Sequence, residues 1–143
     1  MTNPLDLTPE DTPDPILLPN GVYDFKITWT GSREDVGENQ QSVIELSAKA
    51  TAIVDSPELP DSDLKYAKPV RMTFWMDEDT LASESPTRSA KAFFTKTMGF
   101  PANLSYKQLA EMALGQEFRA ATNQFVKKGR DTPEVGIRRF VTG

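Results

Sequence analysis

Hydrophobic and polar residues alternate with period two along several stretches of the chain, and each such stretch predicts a strand. After the turn signal Asn20-Gly21, residues Tyr23, Phe25, Ile27 and Trp29 fall on one face and Asp24, Lys26 and Thr28 on the other. A polar loop over residues 31–39, containing Gly31 and Gly37, comes next. From Gln40 to Val54 the alternation returns, with Ile44, Leu46, Ala48, Ala50 and Ala52 set against Glu45, Ser47, Lys49 and Thr51. That length suits a helix, but no helical stripe is present, so one long strand is predicted. A loop over 55–69, carrying Pro57, Pro60, Pro69 and four acids, leads to a third strand. There Val70, Met72, Phe74 and Met76 face the core and Arg71, Thr73 and Trp75 the opposite side, until Asp77-Glu78-Asp79 ends the strand.

The period then changes. Ser85-Pro86 reads as a cap followed by a first-turn proline, with Ala90, Phe93, Phe94 and Thr97 at helical spacing before Gly99. Ser105 with Gln108 has the spacing of a capping box, and Leu109, Met112 and Ala113 supply a short apolar face before Gly115. Two more strands are predicted, near 116–127 and 134–142, joined by the basic hairpin tip Lys127-Lys128-Gly129-Arg130-Asp131. The fold class is therefore mostly β with a helical insertion. Five strands with helices between the third and fourth is the order of an OB-like five-stranded barrel, whose sheet face and loops commonly bind oligonucleotides.

Residues 1–19 read differently from the rest. Five prolines and four acids with no basic residue predict an extended arm rather than a helix. The expected domain division is thus an acidic proline-rich arm over 1–19 and an OB-like domain over 20–143. The arm is a solubilising tail, an acidic competitor or a partner-docking segment. Its apolar patch Ile16-Leu17-Leu18 suits docking on the domain or on a neighbouring subunit.

Composition narrows the chemistry. The 143 residues contain no cysteine and no histidine, which removes disulfides, thiolate metal sites, cysteine nucleophiles and the commonest general base. This shifts the reading from enzyme to binding protein, with no catalytic residues, no cofactor and no metal expected. Asp77-Glu78-Asp79 and Asp61-Ser62-Asp63 lack the spacing of a metal loop and read as solvated acids. No membrane-span pattern and no signal-peptide pattern is present, which predicts a cytoplasmic protein. The net charge of −5 is unevenly spread: residues 1–85 carry 6 Lys/Arg against 17 Asp/Glu, and residues 86–143 carry 10 against 4.

The basic half, read with the aromatic residues, points to nucleic acid. Single-strand binders combine aromatic platforms, on which any base stacks, with cations along the phosphate track. Arg71, Thr73 and Trp75 of the third strand, Arg119, Asn123, Phe125 and Lys127 of the fourth, and Arg138 of the last supply that mixture, with Lys128 and Arg130 at the hairpin tip. Phe118, Ala120, Thr122 and Val126 are expected to point inward. For Trp75 the competing reading is a covering or subunit contact. For Phe125 and Phe140 it is the core, and for Trp29, at the end of an apolar face, the core or its rim is expected.

Three segments carry a resemblance to a known family. Leu18-Pro19-Asn20-Gly21-Val22-Tyr23, Arg71-Met72-Thr73-Phe74-Trp75 and Leu114-Gly115-Gln116-Glu117-Phe118-Arg119-Ala120 resemble the small OB-fold single-stranded-DNA-binding proteins of tailed phages, over about residues 18–141. The resemblance implies non-sequence-specific binding of single-stranded DNA in phage replication or recombination, without catalysis. Replication or recombination proteins and a homo-oligomer are the further partners considered. Many such proteins end in an acidic tail, whereas this chain ends Arg138-Arg139-Phe140-Val141-Thr142-Gly143 and carries its acids at the other end. A phage structural or assembly protein, using exposed aromatics and the arm for subunit contacts, is the alternative, and a carboxylate-dependent nuclease a distant third.

Overall fold

The structure, a computed structural model, describes residues 4–11, 13–36, 38, 41–56 and 58–141. Gly37, Gln40, Pro57 and Thr142, which figure in the expected loops and strand limits, lie outside the described residues.

Five strands form one antiparallel sheet in the order β3-β2-β1-β4-β5. They are β1 (Val22–Val36), β2 (Gln41–Asp55), β3 (Val70–Trp75), β4 (Glu117–Val126) and β5 (Pro133–Phe140). The first strand runs well beyond Trp29, so most of the expected 31–39 loop is strand. Fifteen residues at about 3.3 Å each make β1 and β2 too long to stay flat on a small core. Register shifts along the β1–β2 ladder, one of them between Ile27 and Trp29, bend and twist the hairpin.

The sheet curls without closing. β3 and β5 are its edges, and no backbone ladder joins them among the described residues. They nevertheless run alongside one another. Phe93, from the helical insertion, stacks on Phe74 of β3 at 5.2 Å and meets Phe140 of β5 at 5.1 Å and Phe118 of β4 at 6.1 Å. One ring therefore ties both edges to the interior, and each such pair contributes about 0.5–1.5 kcal/mol beyond its buried area. Tyr23, Phe25, Ile27, Leu46 and Phe74 complete an inner face with almost no exposed surface.

Helices occupy the chain between β3 and β4, as the change of period predicts: α1 (Glu78–Leu81), α2 (Ala90–Ala92) and α3 (Tyr106–Ala113). Asp77 does not merely end a strand. Its carboxylate accepts from the Thr80 amide at 2.8 Å, and the Asp77 amide donates to the Thr80 hydroxyl oxygen at 3.3 Å, so the pair is a capping box. The second helix starts later than expected. Ser85-Pro86 belongs to a turn closed by Ser89 N–H donating to the Ser85 carbonyl at 2.8 Å, and Ser89 is the cap. From Phe93 to Thr97 the helix widens into a π-turn, and both Phe93 and Phe94 are fully buried. The Ser105–Gln108 capping box forms as its spacing predicts. Gly99 and Gly115, at φ 72° and 85°, take the left-handed conformation that ends these helical stretches. No helix among the described residues is long and apolar enough to cross a membrane.

The N-terminal segment is partly built into this domain. Ile16 forms a parallel bridge with Ala67, accepting from Lys68 N–H at 2.8 Å and donating to the Tyr66 carbonyl at 2.9 Å. Leu18 is 1% exposed. Gln124 donates to the Leu18 carbonyl at 2.9 Å, and Tyr23 donates to the Pro19 carbonyl at 2.8 Å. Burial thus begins at Ile16, and the exposed segment before it is not the extended arm expected, since Pro4–Asp6 and Pro9–Asp11 wind into short 3-10 turns that a proline can start.

Candidate nucleic-acid interface

The outer face of the curled sheet is set by register. On β3, burial alternates strictly, so Arg71, Thr73 and Trp75 point outward as expected. Pairing extends each of them into a row across three strands: Arg71–Ser47–Trp29, Thr73–Glu45–Gly31 and Trp75–Val43–Arg33. Trp29 corrects the sequence reading. Ile27 pairs with Ala48 and Trp29 with Ser47, so Thr28 is an extra residue and the alternation slips by one. The tryptophan expected in the core or at its rim is instead 45% exposed on the same outer face as Trp75, which is 38% exposed two rows along on β3.

Gly31 holds that indole in place. A Cβ on Gly31 would lie 2.7 Å from Trp29 Cη2, so the ring lies against bare backbone that only glycine leaves open. The Arg71 guanidinium sits 5.9 Å from the centre of the same ring, within cation–π range. Arg33 is ion-paired with the buried Glu45 in the neighbouring row, which compensates its charge.

A second group lies on the β4–β5 hairpin. Asn123 pairs with Gly136 and Phe125 with Glu134, and the Phe125 ring covers Gly136, where a Cβ would meet Cε1 at 2.9 Å. Phe125 is 38% exposed, so it is not a core residue. Val126, expected inward, is 57% exposed at the end of β4. Lys127 lies 3.5 Å from Glu134. Lys128, Arg130 and Arg138 are exposed and form no ion pair with another described residue. Phe140 faces the interior, against Phe93 and Phe118.

Arg119 serves the fold. It stands directly across from Asp24 of β1, with Nε donating to Oδ1 at 2.8 Å. Hydrogen bonding and the charge of Asp24 raise its pKa, so the cation is held and locally compensated. The adjoining cleft of about 500 Å³ also carries Glu117, which makes it a poor place for a phosphate.

The third and fourth strands are not neighbours in the ladder, since β2 and β1 lie between them. The candidate residues therefore form two groups. One is Trp29, Arg71, Thr73 and Trp75; the other is Asn123, Phe125, Lys127, Lys128 and Arg130, with Arg138 further along β5. The curl brings them towards a common seam, because the groups flank edge strands that run side by side. At the start of that seam Lys68 and Pro69 of one edge share a notch with Pro133, Glu134 and Val135 of the other. Among the described residues, no three acids converge as metal ligands. Neither a protein-family model nor a curated protein matches the chain.

Proposed function

We propose that this protein binds single-stranded DNA without sequence preference, on an OB-like barrel, in phage replication or recombination. The observation that carries the reading is the pair Trp29 and Trp75, exposed on one curved sheet face with Arg71 against the first ring. Leaving two tryptophans in water is unfavourable unless a flat partner covers them, and bases provide one at about 1–3 kcal/mol each. Stacking accepts every base, so binding that rests on it is sequence-tolerant. The uncompensated cations Arg71, Lys128, Arg130 and Arg138 supply the phosphate contacts. Strand order and the position of the helices suit a five-stranded, partly open barrel of this kind.

Titration of fluorescent oligo(dT) at low and moderate salt tests the proposal. Binding should weaken steeply with salt, because the entropy gained by releasing counterions from the phosphates falls as the bulk salt concentration rises. A folded protein that fails to bind at low salt overturns the reading. The exposed Phe125–Val126 tip favours a second reading, a subunit contact in a phage assembly. That reading requires concentration-dependent association by light scattering, without DNA.

A further inference from the structure

The exposed arm leaves the domain at a particular place. Leu17, next to the Ile16 bridge, lines the notch formed by Lys68, Pro69 and residues 132–135. Pro133 pairs with Val126, the last rung before the turn, so this notch adjoins the tip of the β4–β5 hairpin, which carries Lys127, Lys128 and Arg130. The arm bears Asp6, Glu10, Asp11 and Asp14, and no cation precedes Lys26. Residues 127–131 carry a net +2, beside the exposed Phe125 and Val126. The arm has an apolar group of its own in the exposed Leu7.

We infer that the acidic arm is an intramolecular ligand of the β4–β5 hairpin tip and occupies it when no nucleic acid is bound. Reach is ample. At the roughly 2.0 Å rise of its 3-10 turns even ten residues of arm span about 20 Å, whereas the turn between Val126 and Pro133 reaches no more than about 10 Å from the notch. Pro4 and Pro9 open the 3-10 turns Pro4–Asp6 and Pro9–Asp11, and with Pro13 and Pro15 they fix four backbone φ angles, which lowers the entropy lost on docking. Tethering supplies an effective concentration on the order of millimolar, so a weak contact suffices. In the structure residues 5–10 and 13–15 are exposed. Docking is independent of the nucleic-acid reading; only displacement by DNA rests on it.

The absence of cysteine permits a direct test in the full chain. A nitroxide on Thr2→Cys should broaden the backbone amides of residues 125–131 at low salt, cutting their intensity by about half or more. The broadening should vanish in about 0.5 M salt, where screening is short-ranged. It should also vanish when Asp6, Glu10, Asp11 and Asp14 are replaced by their amides. No low-salt broadening overturns the inference. So does broadening that is equally strong when label and isotope are on different molecules, since the contact is then between copies. Oligo(dT) should release the arm, and the amide-substituted arm should raise apparent affinity for it about two- to ten-fold at low salt. If salt releases the arm but oligo(dT) neither binds nor releases it, the docking stands and the nucleic-acid reading fails.

Discussion

Replacing Gly31 by alanine separates the position of the Trp29 indole from its presence. The new Cβ would lie 2.7 Å from Cη2 and 2.8 Å from Cζ2, against a normal carbon contact of about 3.5–4.0 Å, so the ring must move by about 1 Å. The atoms in the way are the far end of a side chain that can swing outward, and Gly31 is not in the left-handed region. The fold should therefore absorb the change. Alanine in a strand gains about 0.5–1 kcal/mol over glycine, and loss of the ring's contact with the backbone offsets it. The melting temperature should stay within a few degrees, at about 2–4 °C per kcal/mol for a chain of this size. Binding should change more. Loss of one stacked base costs about 1–3 kcal/mol, roughly five-fold to over a hundred-fold in affinity. A tilted ring retains part of that, so Gly31→Ala should weaken oligo(dT) binding about five- to ten-fold and Trp29→Ala more. Fluorescence anisotropy gives the affinities. In a Trp75→Phe background the chain has only Trp29 left, whose emission reports the ring's movement directly. Unchanged affinity in a folded Trp29→Ala protein refutes the platform. Equal losses in Gly31→Ala and Trp29→Ala would mean that glycine does more than make room.

Leu18→Ala should cost about 2–5 kcal/mol, lowering the melting temperature by roughly 5–20 °C, whereas removing residues 1–14 should shift it by no more than about 2 °C; equal effects in calorimetry would contradict the boundary at Ile16. The double variant Lys128→Ala, Arg130→Ala should lower the salt slope of single-strand binding by about 1.4, at about 0.7 per phosphate contact, while Arg119→Ala, already paired with Asp24, leaves the slope unchanged. The Thr80 amide, then the Thr80 hydroxyl, hold the Asp77 carboxyl below its ordinary 3.8. Its folded pKa being depressed, the charged cap's contribution is complete above that pH and is lost as pH falls through the folded value. Asp77→Asn, which can still cap, should therefore lose less stability from about pH 4 to about pH 2, and a carboxyl titration at or above the ordinary value would contradict the assignment.

What the sequence determines here is local. Strict alternation over Val70–Trp75 defines both faces of β3, and the Ser105–Gln108 spacing marks a helix start, because each depends on neighbours within a few residues. The change from period two to helical spacing locates the insertion for the same reason. Trp29 lies outside rather than in the core because one extra residue, Thr28, inverts the positions from Trp29 to Arg33, and a bulge exists only once β2 is paired beside it. Ser85-Pro86 has the composition of a cap, yet a turn there moves the helix start to Ser89, whose side chain is buried against the Leu81 carbonyl. Arg119 looks like any surface cation until β1 sets Asp24 opposite it, across 95 positions of chain. Ile16 and Leu18 look like part of a tail until residues 66–68 and Gln124 offer them backbone partners. Periodicity thus decides which residues are apolar on which local face. Pairing between distant strands decides which of them end up together, which charges are already spent on one another, and where the acidic arm leaves the domain.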